Sequence, residues 1–242
     1  MFRHIFMPLN EHADDGLGAV GRAFHQAAKY LRNMKCEGGA GWTHGHLPID
    51  FLYRHSIELF LKSMIVVIHR RLHLPTDEKD YEPIPRIEVG DSRKSIYSVH
   101  GVRLLFNAMK DMVTSHRKTL SEIAKTDWSD IPQELEIWIL VIDSIDPRST
   151  FFRYPSTRTP EVDRQKSSFK SIDPTELSER MQTDRRGQFA FLMLDQDDAV
   201  IESFVLDDKP LPELRNALEK ASETLVGAQL GVMIELGQAI SG

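Results

Sequence analysis

Residues 49–73 constrain the fold more than any other part of the chain. They read Ile-Asp-Phe-Leu-Tyr-Arg-His-Ser-Ile-Glu-Leu-Phe-Leu-Lys-Ser-Met-Ile-Val-Val-Ile-His-Arg-Arg-Leu-His. No Gly or Pro interrupts them, Pro48 stands at the start and Pro75 follows, so the stretch predicts one long helix. Ile57, Leu59, Phe60, Leu61, Met64, Ile65, Val66, Val67 and Ile68 cover nearly every side of it. A helix that is apolar all round must be buried on several faces at once, as the central helix of a bundle is. The fold class expected is therefore mainly α, an antiparallel helical bundle.

The few polar residues of this stretch are regularly spaced. Arg54, Glu58 and Lys62 lie four apart and share one face. His55, three before Glu58, can also reach it. A carboxylate inside a buried helix is very costly unless a cation holds it. The ladder is then either a structural ion-pair network or part of a site, since both perturb titratable groups.

The remaining chain supplies partners for the central helix. A first helix is expected from Asp14 or Asp15 to about Met34, with Gly16, Gly18 and Gly21 weakening its first turn. Gly38, Gly39 and Gly41 make a loop around Trp42, His44 and His46. Residues 75–90, rich in Pro and charge, read as a surface excursion. A third helix is expected over 98–123, with Val99, Val102, Leu105, Phe106, Met109, Met112 and Val113 as its apolar stripe. A fourth is expected over 132–145, ending at Asp146-Pro147. Residues 146–155, Asp-Pro-Arg-Ser-Thr-Phe-Phe-Arg-Tyr-Pro, read as an ordered extended piece that carries Arg153 inward. The stretch 156–182 reads as polar loop. Short apolar runs on either side of the polar turn Asp195-Gln-Asp-Asp198 predict one small β-hairpin over 188–206, and a last long helix is expected over 211–239. The chain then reads as a single domain over 1–242: residues 14–155 and 207–240 form the bundle, and 156–206 form a loop and hairpin excursion.

Composition narrows the function classes. The 242 residues carry a formal net charge of −6 with pI near 5.9, which argues against nucleic-acid binding through bulk positive charge. Cys36 is the single cysteine, so no intramolecular disulfide and no cysteine-based zinc cluster can form. His44 and His46 lack a third ligand nearby in sequence. No metal and no cofactor is therefore expected. The start of the chain lacks a secretory pattern and the central helix is interrupted by Glu58 and Lys62, so a cytoplasmic protein with no membrane partner is expected.

Three segments carry a resemblance. Tyr53-Arg-His-Ser-Ile-Glu-Leu-Phe-Leu-Lys62 is similar to the RHxxELxLK helix of bacterial proteins of the HEPN superfamily, a group of all-helical bundles. His100-Gly-Val-Arg-Leu-Leu105 resembles the HDLxxL start of the helix that follows. Asp146 to Pro155 resembles a DPxSxxFRYP end of the helical unit. Together they span roughly residues 14–155. The resemblance implies an antiparallel bundle, often dimeric. Many family members cut RNA without metal, using an Arg and a His separated by four to six residues. Others serve as binding or regulatory modules in toxin–antitoxin or phage-defence systems. Here only Arg93 and His100 have that spacing; they lie at a loop-to-helix junction rather than in a late helix, and Lys94 follows the Arg.

Two functions follow. The first is a non-catalytic interaction or regulatory module in which Arg54, Glu58, Lys62, His100, Arg153 and Tyr154 form a polar lock, with Arg153 returning to bond Glu58. The second is a metal-independent ribonuclease, with His55 or His100 moving the proton and Arg54 or Arg153 on the phosphate. The partners expected are a second copy of the chain or another protein, with RNA as the substrate in the second reading.

Overall fold

The computed structural model describes residues 8–34, 44–75, 81–157, 160–183, 189–207 and 210–237. Among these the chain is mainly helical. The helices are α1 (Leu17–Asn33), α2 (His46–Leu72), α3 (Val102–Ser115), α4 (Arg117–Ile123), α5 (Gln133–Ile145), α6 (Pro160–Gln165), α7 (Pro174–Thr183) and α8 (Pro212–Leu236). Strands β1 (Arg86–Val89) and β2 (Ser92–Ser95) form a hairpin. Strands β3 (Phe169–Ile172), β4 (Ala190–Leu194) and β5 (Val200–Leu206) form an antiparallel sheet in the order β3-β5-β4. Trp42 with Gly38, Gly39 and Gly41, Cys36 and the chain's first residues lie outside the described residues, whereas His46 opens α2.

α2 is the hub, packed against α1, α3 and α8, while α5 closes the bundle against α8 and α3. Every residue from Ser56 to His69 is buried, and each fully buried Ile, Leu, Phe or Met there contributes about 2 kcal/mol. Pro48 sits in the first turn of α2, where its missing N–H costs nothing. His73, at φ 49°, ends the helix in the left-handed region.

The glycines of α1 are where it touches its neighbours. A Cβ at Gly18 would stand 2.0 Å from Gln229 Nε2, and one at Gly21 would stand 2.9 Å from the Phe60 ring. Asp14 compensates for the weak first turn, accepting the N–H groups of Gly16 at 3.1 Å and Gly18 at 2.7 Å.

Several expectations are corrected. The helix expected over 98–123 is two helices that meet at His116, because the apolar stripe ends at Val113. The excursion after α2 contains the β1–β2 hairpin, closed by Gly90 at φ 61°. The polar stretch 156–182 holds α6, β3 and α7, so β5 pairs on both sides and the expected single hairpin is a three-stranded sheet. Among the described residues no helix is long and apolar enough to cross a membrane.

Candidate functional site: a buried polar cluster on α2

The ladder on α2 meets the other two motif segments at one point. Arg54 Nη1 donates to Glu58 Oε2 at 2.7 Å, and Lys62 Nζ donates to Glu58 Oε1 at 2.9 Å. His100, just before α3, places Nδ1 2.9 Å from the same Oε1. Arg54 Nη2 donates to the His100 carbonyl at 2.5 Å, and Arg54 Nε lies 3.2 Å from Asp146 Oδ2 at the end of α5. Lys62 Nζ also reaches the Tyr97 carbonyl at 3.4 Å. The side chains of Arg54, Glu58 and Lys62 are 0, 1 and 4 % exposed, whereas His100 is 44 % exposed.

The electrostatics are consistent with this geometry. Burial alone would raise the Glu58 carboxyl, but the charges of Lys62 and Arg54 and hydrogen bonds from Lys62 and His100 outweigh it and hold it below its ordinary range. Glu58 is thus an ionised acceptor, so His100 must donate through Nδ1–H. A neutral His100 then keeps Nε2 as its acceptor atom.

Asp146 has two roles. Its Oδ1 accepts the N–H groups of Thr150 at 2.7 Å and Phe151 at 3.0 Å, which fixes the turn after α5. Its Oδ2 faces Arg54. In the sequence Asp146 reads as a helix stop and as the first residue of the motif segment 146–155. The signal was present: an Asp whose carboxylate can cap main-chain groups a few residues downstream favours that role at the end of an element.

Arg153 does not join the cluster, contrary to expectation. Residues 150–154 form a turn, with Arg153 and Tyr154 both donating their N–H to the Thr150 carbonyl at 3.2 Å. In a turn of helical sense, residues two apart point to different sides, so Phe151 is buried while Arg153 and Tyr154 are exposed. The Arg153 guanidinium instead lies 5.8 Å from the Phe51 ring centroid. The cation expected of it is supplied by Arg54. His55 stands apart from the ion pairs, against Phe24 at 4.7 Å and Phe51 at 5.7 Å between centroids. Burial holds His55 toward its neutral form; Glu58 opposes this, and Arg153, Arg54 and Lys62 reinforce it. Arg93 lies on the exposed β2 strand, near Glu88.

A second polar line, not anticipated from sequence, runs along roughly the opposite side of α2 at 100° per residue. Ser63 donates to Asp14 at 2.5 Å and accepts from Gln229 Nε2 at 3.0 Å, and Arg22 donates to Gln229 Oε1 at 2.6 Å. Two turns away, Ser56 donates to the Tyr53 carbonyl, so Ser222 must donate to Ser56 and accept from His25 Nδ1. These bonds set the positions of α1 and α8 against α2. Among the described residues, no group of three or more His, Cys, Asp or Glu could hold a metal ion.

No protein-family model matches the chain, and no curated protein or solved structure is matched by it.

Proposed function

We propose that the chain is a HEPN-like antiparallel bundle acting as a non-catalytic interaction or regulatory module, of the kind found in bacterial toxin–antitoxin and phage-defence systems. One observation carries the reading. The charged heads of Arg54, Glu58 and Lys62 are buried and bonded to one another, to Asp146 or to main-chain carbonyls. A phosphate-binding cation must present free donors to its ligand, and a general base must reach its proton. Arg54 and Glu58 do neither, which favours a cluster that locks three helical segments together.

A ribonuclease reading rests on His100. It is half-exposed, its ring is oriented through Nδ1 by a buried carboxylate, and its Nε2 can accept a proton. The test is incubation of single-stranded and structured RNA with the purified chain in the presence of a chelator. The module reading expects intact RNA from the parent and from the His100→Ala variant alike. Cleavage by the parent that is lost in a folded His100→Ala variant would establish the ribonuclease instead.

A further inference from the structure

The apolar sequence of β4 has no place in the bundle. Ala190-Phe-Leu-Met-Leu194 carries no charge and no Pro, yet it pairs on one side only, with β5, and is the edge of its sheet among the described residues. Helix α7 packs against β5, burying Leu177 and Val205, but Phe191, Leu192, Met193 and Leu194 on β4 and Val200 and Ile201 on β5 are between 40 and 59 % exposed. Exposed edges normally carry charges, Pro or bulges that block further pairing. The bulge here lies where Leu194 faces Val200, with the extra residue on β5, so β4 itself stays regular.

The main chain of β4 is set to pair again. Phe189 accepts from Leu206 N–H, and Asp195 donates to the Ala199 carbonyl, so the odd-numbered residues face β5. By the period of two, Ala190, Leu192 and Leu194 turn their N–H and C=O groups outward. We propose that β4 is a self-association edge, pairing antiparallel with β4 of a second copy about a two-fold axis at Leu192. Ala190 then bonds Leu194 of the other copy, and Leu192 bonds its own counterpart. A strand that exposes apolar residues on both faces needs a partner that is apolar on both faces. A second β4 satisfies this, and antiparallel pairing of identical strands closes on itself. Pairing satisfies the outward N–H and C=O groups of Ala190, Leu192 and Leu194 and sets the exposed apolar side chains of the two β4 strands side by side on each face of the joined sheet. The proposal is independent of the role of the polar cluster.

The test is the solution mass of the full chain by analytical ultracentrifugation over a wide concentration range. The parent is expected to be a dimer. Leu192→Lys sets two like charges at the axis and is expected to lose the dimer mass with an unchanged far-UV spectrum, and an equal mixture of Leu192→Lys and Leu192→Glu chains is expected to regain it. As a second readout, Leu192→Cys on a Cys36→Ser background is expected to form an intermolecular disulfide under mild oxidation, while Ile137→Cys, exposed on α5, is not. A monomeric parent overturns the proposal, as does a dimer that survives Leu192→Lys or cross-linking no faster at residue 192 than at 137. A monomeric parent that takes up an apolar strand peptide along β4 would assign the edge to a foreign partner instead.

Discussion

Replacement of Asp146 separates its two roles. Asp146→Ala removes the acceptor of the Thr150 and Phe151 N–H groups and the carboxylate that faces the fully buried guanidinium of Arg54. Loss of capping bonds costs about 1–2 kcal/mol, and loss of one partner of a buried ion pair costs about 3–5 kcal/mol when the other charge is left alone. Arg54 keeps Glu58 and the His100 carbonyl, so the second figure is taken at or below its lower end, giving roughly 4 kcal/mol in all. Asp146→Asn keeps an oxygen for the main chain and loses only the charge, for which about 2 kcal/mol is expected. Urea unfolding at neutral pH reads both, and in a chain of this size about 4 kcal/mol lowers Tm by roughly 8–16 °C. Equal costs for the two variants, or a cost for Ala below about 1 kcal/mol, would refute the assignment of Asp146 to the cluster.

Other expectations follow from the same geometry. Burial holds His25, His55 and His69 below their ordinary value of 6.5, and the Lys62 and Arg54 cations hold Glu58 below 4.5 despite its burial. All four bind protons more readily when unfolded, so stability is present at neutral pH and falls as pH drops, first below about 6.5 through the histidines and again below about 4.5 through Glu58; a Tm that rises from pH 7 to pH 5 would contradict this. Two glycines one turn apart in α8 are expected to respond oppositely to alanine. Nothing lies within 4 Å of a Cβ at Gly227, so Gly227→Ala should stabilise by up to about 1 kcal/mol. A Cβ at Gly231 would stand 2.6 Å from the Trp128 ring, so Gly231→Ala should destabilise by about 1–3 kcal/mol. Arg70 bonds Asp15 at 2.7 and 3.0 Å and the carbonyls of Ala13 and Pro83 at 2.9 Å, so Arg70→Ala should speed proteolysis of both the segment before α1 and the β1–β2 hairpin.

What the sequence discloses depends on how local the determining physics is. The burial of α2 was legible because its apolar residues leave no polar face, and a helix of that kind has few ways to avoid the core. The ladder of Arg54, Glu58 and Lys62 was legible for the same reason, since their four-residue spacing is a property of one helix. The identity of the outside partner was not. Arg153 and Asp146 are both charged and lie seven residues apart in one motif segment, and choosing between them needs the backbone between them. Extended backbone would put Arg153 on the side of Phe151, whereas the turn capped by Asp146 puts it in solvent. In the sequence the glycines of α1 signal only a propensity cost, while their use as contact points depends on Phe60 and Gln229, far along the chain. β3 has little signal of its own, because Phe169-Lys-Ser-Ile172 is short and polar in part, and it is a strand through its pairing with β5.

Arg54 holds Glu58 within the buried cluster, and a pair of double-mutant cycles on unfolding free energy measures this directly. Arg54→Ala with Glu58→Ala should show a coupling of at least about 1.5 kcal/mol, because the two heads meet at 2.7 Å in full burial. Arg153→Ala with Glu58→Ala should be additive within about 0.5 kcal/mol, because Arg153 is exposed against Phe51. Strong coupling of Glu58 to Arg153, or additivity of Glu58 with Arg54, would contradict the arrangement of the cluster.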